Sequence, residues 1–523
     1  MNNNLKNKKF QIFLLIVLFL LFLKVDYRFD TSIRCCSDEY DYFSHSSTIV
    51  FDFDLDYSNQ NLREFNYSKN GKTTPIGFFG SGLLSAPFLW FGSKLSSIFN
   101  ENINSTVLNF QFFLYSMSSV FYFFISFFLI LNTLKKMKIN VNKYNLLLYL
   151  SGSGITYYAF ERFGMTHVFE LFGISLLFNL CINFYIQKNN IKFSIFIPIV
   201  LMICFLTRMS NFYIFLLPYV AKIFLKDSGF KNLNNLYKST YFWISFCISS
   251  YIYYLISFEL YGELVLNPQK VYGTNISFQN VYESQSNFLE LILSLFKTLS
   301  IILFSNEFGI LWISPIIFLG FVSIFFIKSK AYILNFLVFI CFAQNFFIVH
   351  IWQSLGSSYG FRYLFSLTPL SIFLYFVYLK KYKFVRYYLI PLSIFSNLSL
   401  LFFETTIKTQ LSTVDQINSF GRSIRYVEPE YISGLLLSFF EFESYLIIFT
   451  TSFFGALLFK IVLLILSQDS LFLILERFGL PIYNEDFLSY INNIQKIQSE
   501  KFLILLIYFS FVSYKIVNYK NKT

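Results

Sequence analysis

Residues 37–59 read SDEYDYFSHSSTIVFDFDLDYSN and carry six carboxylates, Asp38, Glu39, Asp41, Asp52, Asp54 and Asp56. A carboxylate held near a membrane face can take the proton of an acceptor hydroxyl as a general base, or hold a divalent cation. A plainer role is also open to them. Asp38 can cap a short helix with Asp41 completing the cap, for about 1 kcal/mol. DLD at 54–56 is either a plain turn or, with Phe51, Phe53, Leu55 and Tyr57, a brief amphipathic strand.

Basic residues recur at the ends of apolar runs. Arg162 and His167 lie in ERFGMTHVFE, Arg208 and Asn211 in TRMSN, Lys270 and Tyr272 in NPQKVYG, and Arg362 closes WQSLGSSYGFR after Trp352. Asn306 and Glu307 open SNEFGILWISP. A charge at the centre of a span costs about 2.5–3.5 kcal/mol even on the lenient insertion scale, so each is a candidate for function. Taken singly, an arginine at a helix end commonly snorkels to headgroups. Several of them beside a fixed carboxylate suit glycosyl transfer from a lipid-phosphate sugar. The acceptor hydroxyl attacks the anomeric carbon while guanidinium or ammonium groups neutralise the departing phosphate. The expected site has Asp38 and Glu39 as catalytic residues and His167, Arg208, Lys270 and Arg362 on the donor phosphate. Asp41, Tyr42 and Arg162 fall on the acceptor side, with no metal and no cofactor.

Such a site needs a membrane scaffold, and the composition supplies one. Of 523 residues 55% are hydrophobic and 13% charged, with 74 Phe and 38 Tyr, more apolar surface than a soluble core of this length can hide. The formal charge of +12 sits in short Lys/Arg clusters between apolar runs, which excludes a nucleic-acid-binding face. Six scattered Cys make no disulfide framework and no CxxC spacing. The abundance of Asn, Lys, Ile and Phe looks like a low-GC genome, which places the expected chain in a bacterial inner membrane.

A spanning helix needs about 20 mostly apolar residues. Runs of this kind lie near 10–25, 108–133, 144–161, 165–187, 192–207, 210–225, 240–260, 306–327, 331–350, 361–379, 385–404, 443–466 and 502–518. The expectation is an all-α polytopic membrane helix bundle of about 11–13 spans. Lysines gather in alternate loops, at Lys6, Lys8 and Lys9, then Lys135, Lys136 and Lys138, then Lys188 and Lys192, Lys226 and Lys231, Lys328 and Lys330, and Lys380, Lys381 and Lys383. Those loops and the N-terminus are therefore read as cytoplasmic. The opposite loops, 26–107 above all, are external. Within 26–107, the Gly/Ser-rich PIGFFGSGLLSAPFLWFG at 75–92 is expected as a helix in or near the interface rather than a crossing. Residues 1–470 form the transmembrane module in this reading, and 471–523 an amphipathic segment whose last run either spans or lies on the surface.

The order of these pieces resembles the polytopic glycosyltransferases of the GT-C fold, particularly the branch with protein O-mannosyltransferases and the lipid A aminoarabinose transferase. SDEYDY is similar to that group's acidic motif after the first span, and PIGFFGSGLLSAPF to the segment that follows it. FGMTHVFE, LTRMSN, GILWISP and SYGFR are similar to motifs of bacterial members, in this order, over about residues 38–370. The resemblance implies inverting transfer from a polyprenyl-phosphate sugar to a lipid, glycan or protein acceptor, without a metal. Asp38 matches the catalytic aspartate and Glu39 its neighbour, while His167, Arg208 and Arg362 are donor-side or structural. The chain departs from the group in having no large soluble C-terminal domain. It also offers both Glu161 and Glu170 for the second acidic position. The rivals are a lipid-linked oligosaccharide polymerase, which would place its large external loop late, and a flippase or transporter, which would show two related halves.

Overall fold

The computed structural model describes residues 2–24, 37–60, 62, 66–101, 109–187, 190–231, 233–267, 270–271, 288–304, 309–326, 332–352, 361–411, 431–477, 494–495 and 497–519. The expected Tyr272, Asn306 and Glu307 lie outside the described residues. The fold is all-α and membrane-spanning, with a single small antiparallel hairpin among the described residues, β1 (Tyr67–Lys69) and β2 (Lys72–Thr74). Among the described residues five helices are long and apolar enough to cross a membrane, at Phe110–Lys136, His167–Ile186, Thr240–Tyr261, Arg362–Leu379 and Lys383–Phe402. Shorter apolar helices at Ile191–Thr207, Pro315–Phe325, Ile333–Phe346 and Phe453–Leu463 accompany them.

The part of the chain that builds the site comprises α1 (Asn2–Phe22), α2 (Ser37–Ser47), α3 (Phe79–Ile98), α4 (Phe110–Lys136), α5 (Lys143–Ser151), α6 (Ile155–Phe160), α7 (His167–Ile186) and α8 (Ile191–Thr207). The expected run 144–161 is two helices, α5 and α6. The sequence SGSG interrupts it, and Gly154 adopts φ +72°, a left-handed conformation that a side chain would resist. The residues after α2 form a π-helical turn, Thr48–Asp52, followed by bends rather than a strand. There the Asp54 carboxylate accepts from the Asp56 N–H at 3.1 Å and Asp56 from the Ser58 N–H at 3.0 Å. DLD is thus a pair of local turns, because short acidic side chains compete for the backbone.

The helices share two chemically different ends. Lys8 donates to the Asn518 carboxamide at 3.5 Å, Lys143 to the Tyr519 carbonyl at 3.3 Å, Lys136 to Asn183 at 2.6 Å and Lys380 to the Asn140 carbonyl at 2.6 Å. The Lys135 ammonium sits 4.8 Å from the Tyr519 ring. The lysines of the first, second and last of the clusters that alternate along the sequence, with Lys143, therefore gather at one end of the bundle. At the other end are the start of α4, the start of α7 and the end of α8, where Thr166 donates to the Thr207 carbonyl at 2.9 Å.

The last helix, Ser499–Asn518, joins the two ends. At its start Lys501 is paired with Glu101 at 2.8 Å, both side chains buried, and Glu101 also accepts from the Phe110 N–H at 2.6 Å. At its finish lies Lys8. Twenty residues of α-helix span about 30 Å, enough to cross a bilayer core. The run 443–466 behaves differently. It breaks at the extended Ser452 into helices Phe442–Thr451 and Phe453–Leu463, with the Ser452 hydroxyl capping the second. Phe453 donates to the Leu23 carbonyl at the far end of α1, and its ring packs tilted against that of Phe502 at 4.5 Å. Both helices thus sit at the site's end rather than crossing.

Helix α3 does not cross either. Its Gly/Ser face packs on α2 and α4, with the Leu84 carbonyl accepting from Tyr122 at 3.0 Å and Ser46 of α2 3.0 Å from the Gly82 carbonyl. It follows α4 only to mid-length. A Cβ on Gly80 would stand 2.4 Å from the Thr207 backbone nitrogen, so the missing side chain lets α3 seat directly on the end of α8. Small residues at such crossings let membrane helices approach closely, where no hydrophobic force draws them together.

Candidate active site

Helix α2 opens with two adjacent carboxylates in its first turn, where the helix dipole favours negative charge. Each meets its own arginine. Asp38 Oδ2 accepts from Arg362 Nη1 at 3.2 Å, and Glu39 Oε1 accepts from Arg162 Nε at 3.0 Å. Adjacent helical residues point about 100° apart, so the two guanidiniums approach from different sides. Arg162 comes from the turn between α6 and α7, and Arg362 begins the 3-10 helix Arg362–Leu367. The Asp38 side chain remains 38% exposed, against 6% for Glu39, so Asp38 is the carboxylate within reach of an incoming molecule.

A second, buried group adjoins the first. Arg208 ends α8 in an extended conformation, which carries its guanidinium away from the helix axis. Its Nη1 donates to Glu170 Oε1 at 2.9 Å and faces His167 Nδ1 at 3.4 Å, and its Nε donates to Ser210 at 3.1 Å. Asn211 adds a donor to Glu170 Oε2 at 3.4 Å. Of the two glutamates open from the sequence, Glu170 is the one paired with Arg208, while Glu161 is also buried. His167 is enclosed by the rings of Tyr158 at 4.8 Å and Phe365 at 6.1 Å.

Tyr363 joins the two groups. The Arg208 guanidinium carbon lies 4.7 Å from the centre of its ring and that of Arg362 5.4 Å. The site thus sets three guanidiniums against three carboxylates, with two of the guanidiniums, Arg208 and Arg362, over one aromatic ring. Nothing in the sequence singles out Tyr363 beyond its place next to Arg362 in YGFRY.

The remaining expected residues take other positions. Asp41 and Tyr42 are buried against the segment leading into α3, where a Cβ on Gly77 would stand 2.7 Å from Asp41 Cβ. Lys270 pairs instead with Glu263 at 3.2 Å, with both side chains about half exposed. Trp352 ends the helix Tyr332–Trp352. Among the described residues no group of three His, Cys, Asp or Glu side chains is placed to hold a metal ion.

His45, in the same short helix as Asp38, locks the loop to α3. Fully buried, it holds the Gly77 carbonyl at 3.0 Å through Nε2 and the Tyr57 hydroxyl at 2.5 Å through Nδ1. A carbonyl can only accept, so Nε2 carries the proton and Nδ1 accepts from Tyr57. Burial lowers the imidazole pKa to about 4, against which the Gly77 contact acts weakly.

No family model and no curated protein matches the sequence. Two solved structures resemble the chain. The archaeal oligosaccharyltransferase AglB from Archaeoglobus fulgidus, in complex with an inhibitory peptide and a dolichol-phosphate, is 14% identical over 84% of this chain and 55% of that one, with a TM-score of 0.37. The Archaeoglobus fulgidus oligosaccharyltransferase in complex with Zn and sulfate is 13% identical over 82% of this chain and 52% of its own, with a TM-score of 0.32. The chain spans about half the length of each.

Proposed function

We propose that this chain is a membrane glycosyltransferase of GT-C type that moves a sugar from a polyprenyl-phosphate donor to an acceptor hydroxyl, with inversion. The observation that carries the reading is the Asp38–Arg362 pair at 3.2 Å, half open to its surroundings, with Arg208 across the Tyr363 ring. In this reading the acceptor oxygen attacks the anomeric carbon as the bond to the phosphate oxygen breaks. The electron pair leaves on the phosphate, and the hydroxyl proton passes to the Asp38 carboxylate. The donor phosphate competes with Asp38 for Arg362, and the carboxylate so released turns to the acceptor. Arg208, already balanced by Glu170, adds a fixed positive field at little reorganisation cost. Glu39, held by Arg162, and the neighbouring Asp41 and Tyr42 shape the acceptor side, His167 backs Arg208, and Lys270 would have to leave Glu263 to reach a donor.

The lysine-rich end is cytoplasmic in this reading, by the excess of Lys and Arg that cytoplasmic loops carry. The site then faces outward, in a bacterial inner membrane. The test is purified protein in nanodiscs with labelled polyprenyl-phosphate sugars, comparing wild type with Asp38→Asn. Turnover is expected to fall by about 100-fold or more in the variant, as for loss of a general base. Equal turnover removes Asp38 from the mechanism, and sugar flux across proteoliposomes without covalent change makes the chain a transporter.

A further inference from the structure

We infer that Tyr363 is a positioning residue whose ring holds the Arg208 and Arg362 guanidiniums as one anion clamp for the phosphate of a polyprenyl donor. This rests on the glycosyltransferase reading above and adds to it a residue and a geometry.

Both guanidinium carbons lie over the same ring, at 4.7 and 5.4 Å from its centre, and the sum of those distances bounds their separation at about 10 Å. Two N–H···O contacts of about 2.8 Å, one on either side of a phosphate, bridge most of that span. Two like charges so close repel one another, and the negative face of an aromatic ring offsets the repulsion. Each arginine is also tied to a carboxylate, but in different surroundings. Glu170 holds Arg208 in a buried pair, whereas Asp38 holds Arg362 in a partly open one. Arg208 is therefore the fixed jaw of the clamp and Arg362 the jaw that can exchange its partner. The ring itself is held in place. Tyr363 is half-buried in the 3-10 helix Arg362–Leu367, whose next four residues, Leu364, Phe365, Ser366 and Leu367, are buried. Phe365 packs 5.5 Å from Tyr158. The hydroxyl of Tyr363 also lies within hydrogen-bonding reach of the Arg362 guanidinium. The prediction therefore separates the ring from the phenol.

The experiment measures binding of a polyprenyl monophosphate and of the uncharged polyprenol of the same length to the purified full chain in nanodiscs. Wild type is expected to prefer the phosphate. Tyr363→Leu is expected to weaken phosphate binding about tenfold and to leave polyprenol binding unchanged. Tyr363→Phe keeps the ring and is expected to restore the preference. Should Tyr363→Leu fail to elute as a single monodisperse species, Tyr363→Met, equally without a ring, takes its place. If the ringless variants keep the wild-type preference, or weaken both ligands alike, the clamp is overturned and the glycosyltransferase reading stands. If Tyr363→Phe behaves as Tyr363→Leu, the hydroxyl and not the ring face is responsible, and the inference again fails. If wild type itself does not distinguish phosphate from alcohol, the donor reading falls and the clamp with it.

Discussion

Arg362 donates to Asp38 at 3.2 Å although 324 positions separate them, so the amino-terminal carboxylate and an arginine from late in the chain form one unit. Both are partly exposed, and the pair adds little to stability, since ion pairs in contact with solvent contribute about 0–1 kcal/mol. Its consequences belong to the chemistry.

Arg362→Ala is therefore expected to raise the donor KM about tenfold or more while the unfolding temperature moves little. Steady-state kinetics against donor concentration decide it. An unchanged donor dependence would make Arg362 a structural anchor.

Glu170 and Arg208 should behave in the opposite way. Both are buried, and Glu170→Gln leaves a guanidinium without its counter-charge, at an expected cost of about 3–5 kcal/mol. Replacing both, Glu170→Leu with Arg208→Met, should recover much of that loss and abolish turnover. Thermal unfolding in detergent reads the first effect, and a single variant as stable as wild type would refute it.

Gly80 abuts the Thr207 backbone, immediately before Arg208. Gly80→Ala should overpack this contact and cost about 1–3 kcal/mol. Because the displaced backbone carries Arg208, donor binding should weaken along with stability. A variant that loses stability while keeping wild-type donor affinity would uncouple the two helices from the site.

His45 gives stability a pH dependence with a definite sign. Its folded pKa, about 4, lies below the ordinary 6.5, so between those values the unfolded chain takes up a proton that the folded chain refuses. Stability is then fully present above about pH 6.5, falls on acidification and levels off below about pH 4, with a total near 3 kcal/mol. His45→Gln should remove this slope from the unfolding profile of the purified protein. A profile identical to wild type across that window would show that the acid sensitivity lies elsewhere.

Much of this was legible in the sequence. The alternation of Lys6, Lys8 and Lys9 with Lys135, Lys136 and Lys138 marks one end of the bundle because helices of similar length return their loops to the same plane. Asp38, Glu39, Arg162, His167, Arg208 and Arg362 stood out because charge is costly beside apolar runs. Which acid meets which base was not legible. Residues adjacent in sequence, Asp38 and Glu39, find partners from different turns, and only the packing shows that Glu170 is paired with Arg208. Tyr363 could not be told from the 37 other tyrosines, since aromatic residues in such a chain mostly serve packing and interfacial belts. His45 sits among polar neighbours in SDEYDYFSH, and its burial comes entirely from the fold of the loop over it.

The contact between Lys8 and Asn518 has a topological consequence. Two positions on one side of a bilayer are joined by an even number of crossings. Among the thirteen expected runs, 443–466 breaks at Ser452 into two short helices at the site's end, which leaves an even number of expected crossings between Lys8 and Asn518. A small reporter beside Lys8 and another beside Asn518 should be labelled from a single compartment, and one placed at Phe440, exposed just ahead of those two helices, only from the opposite compartment.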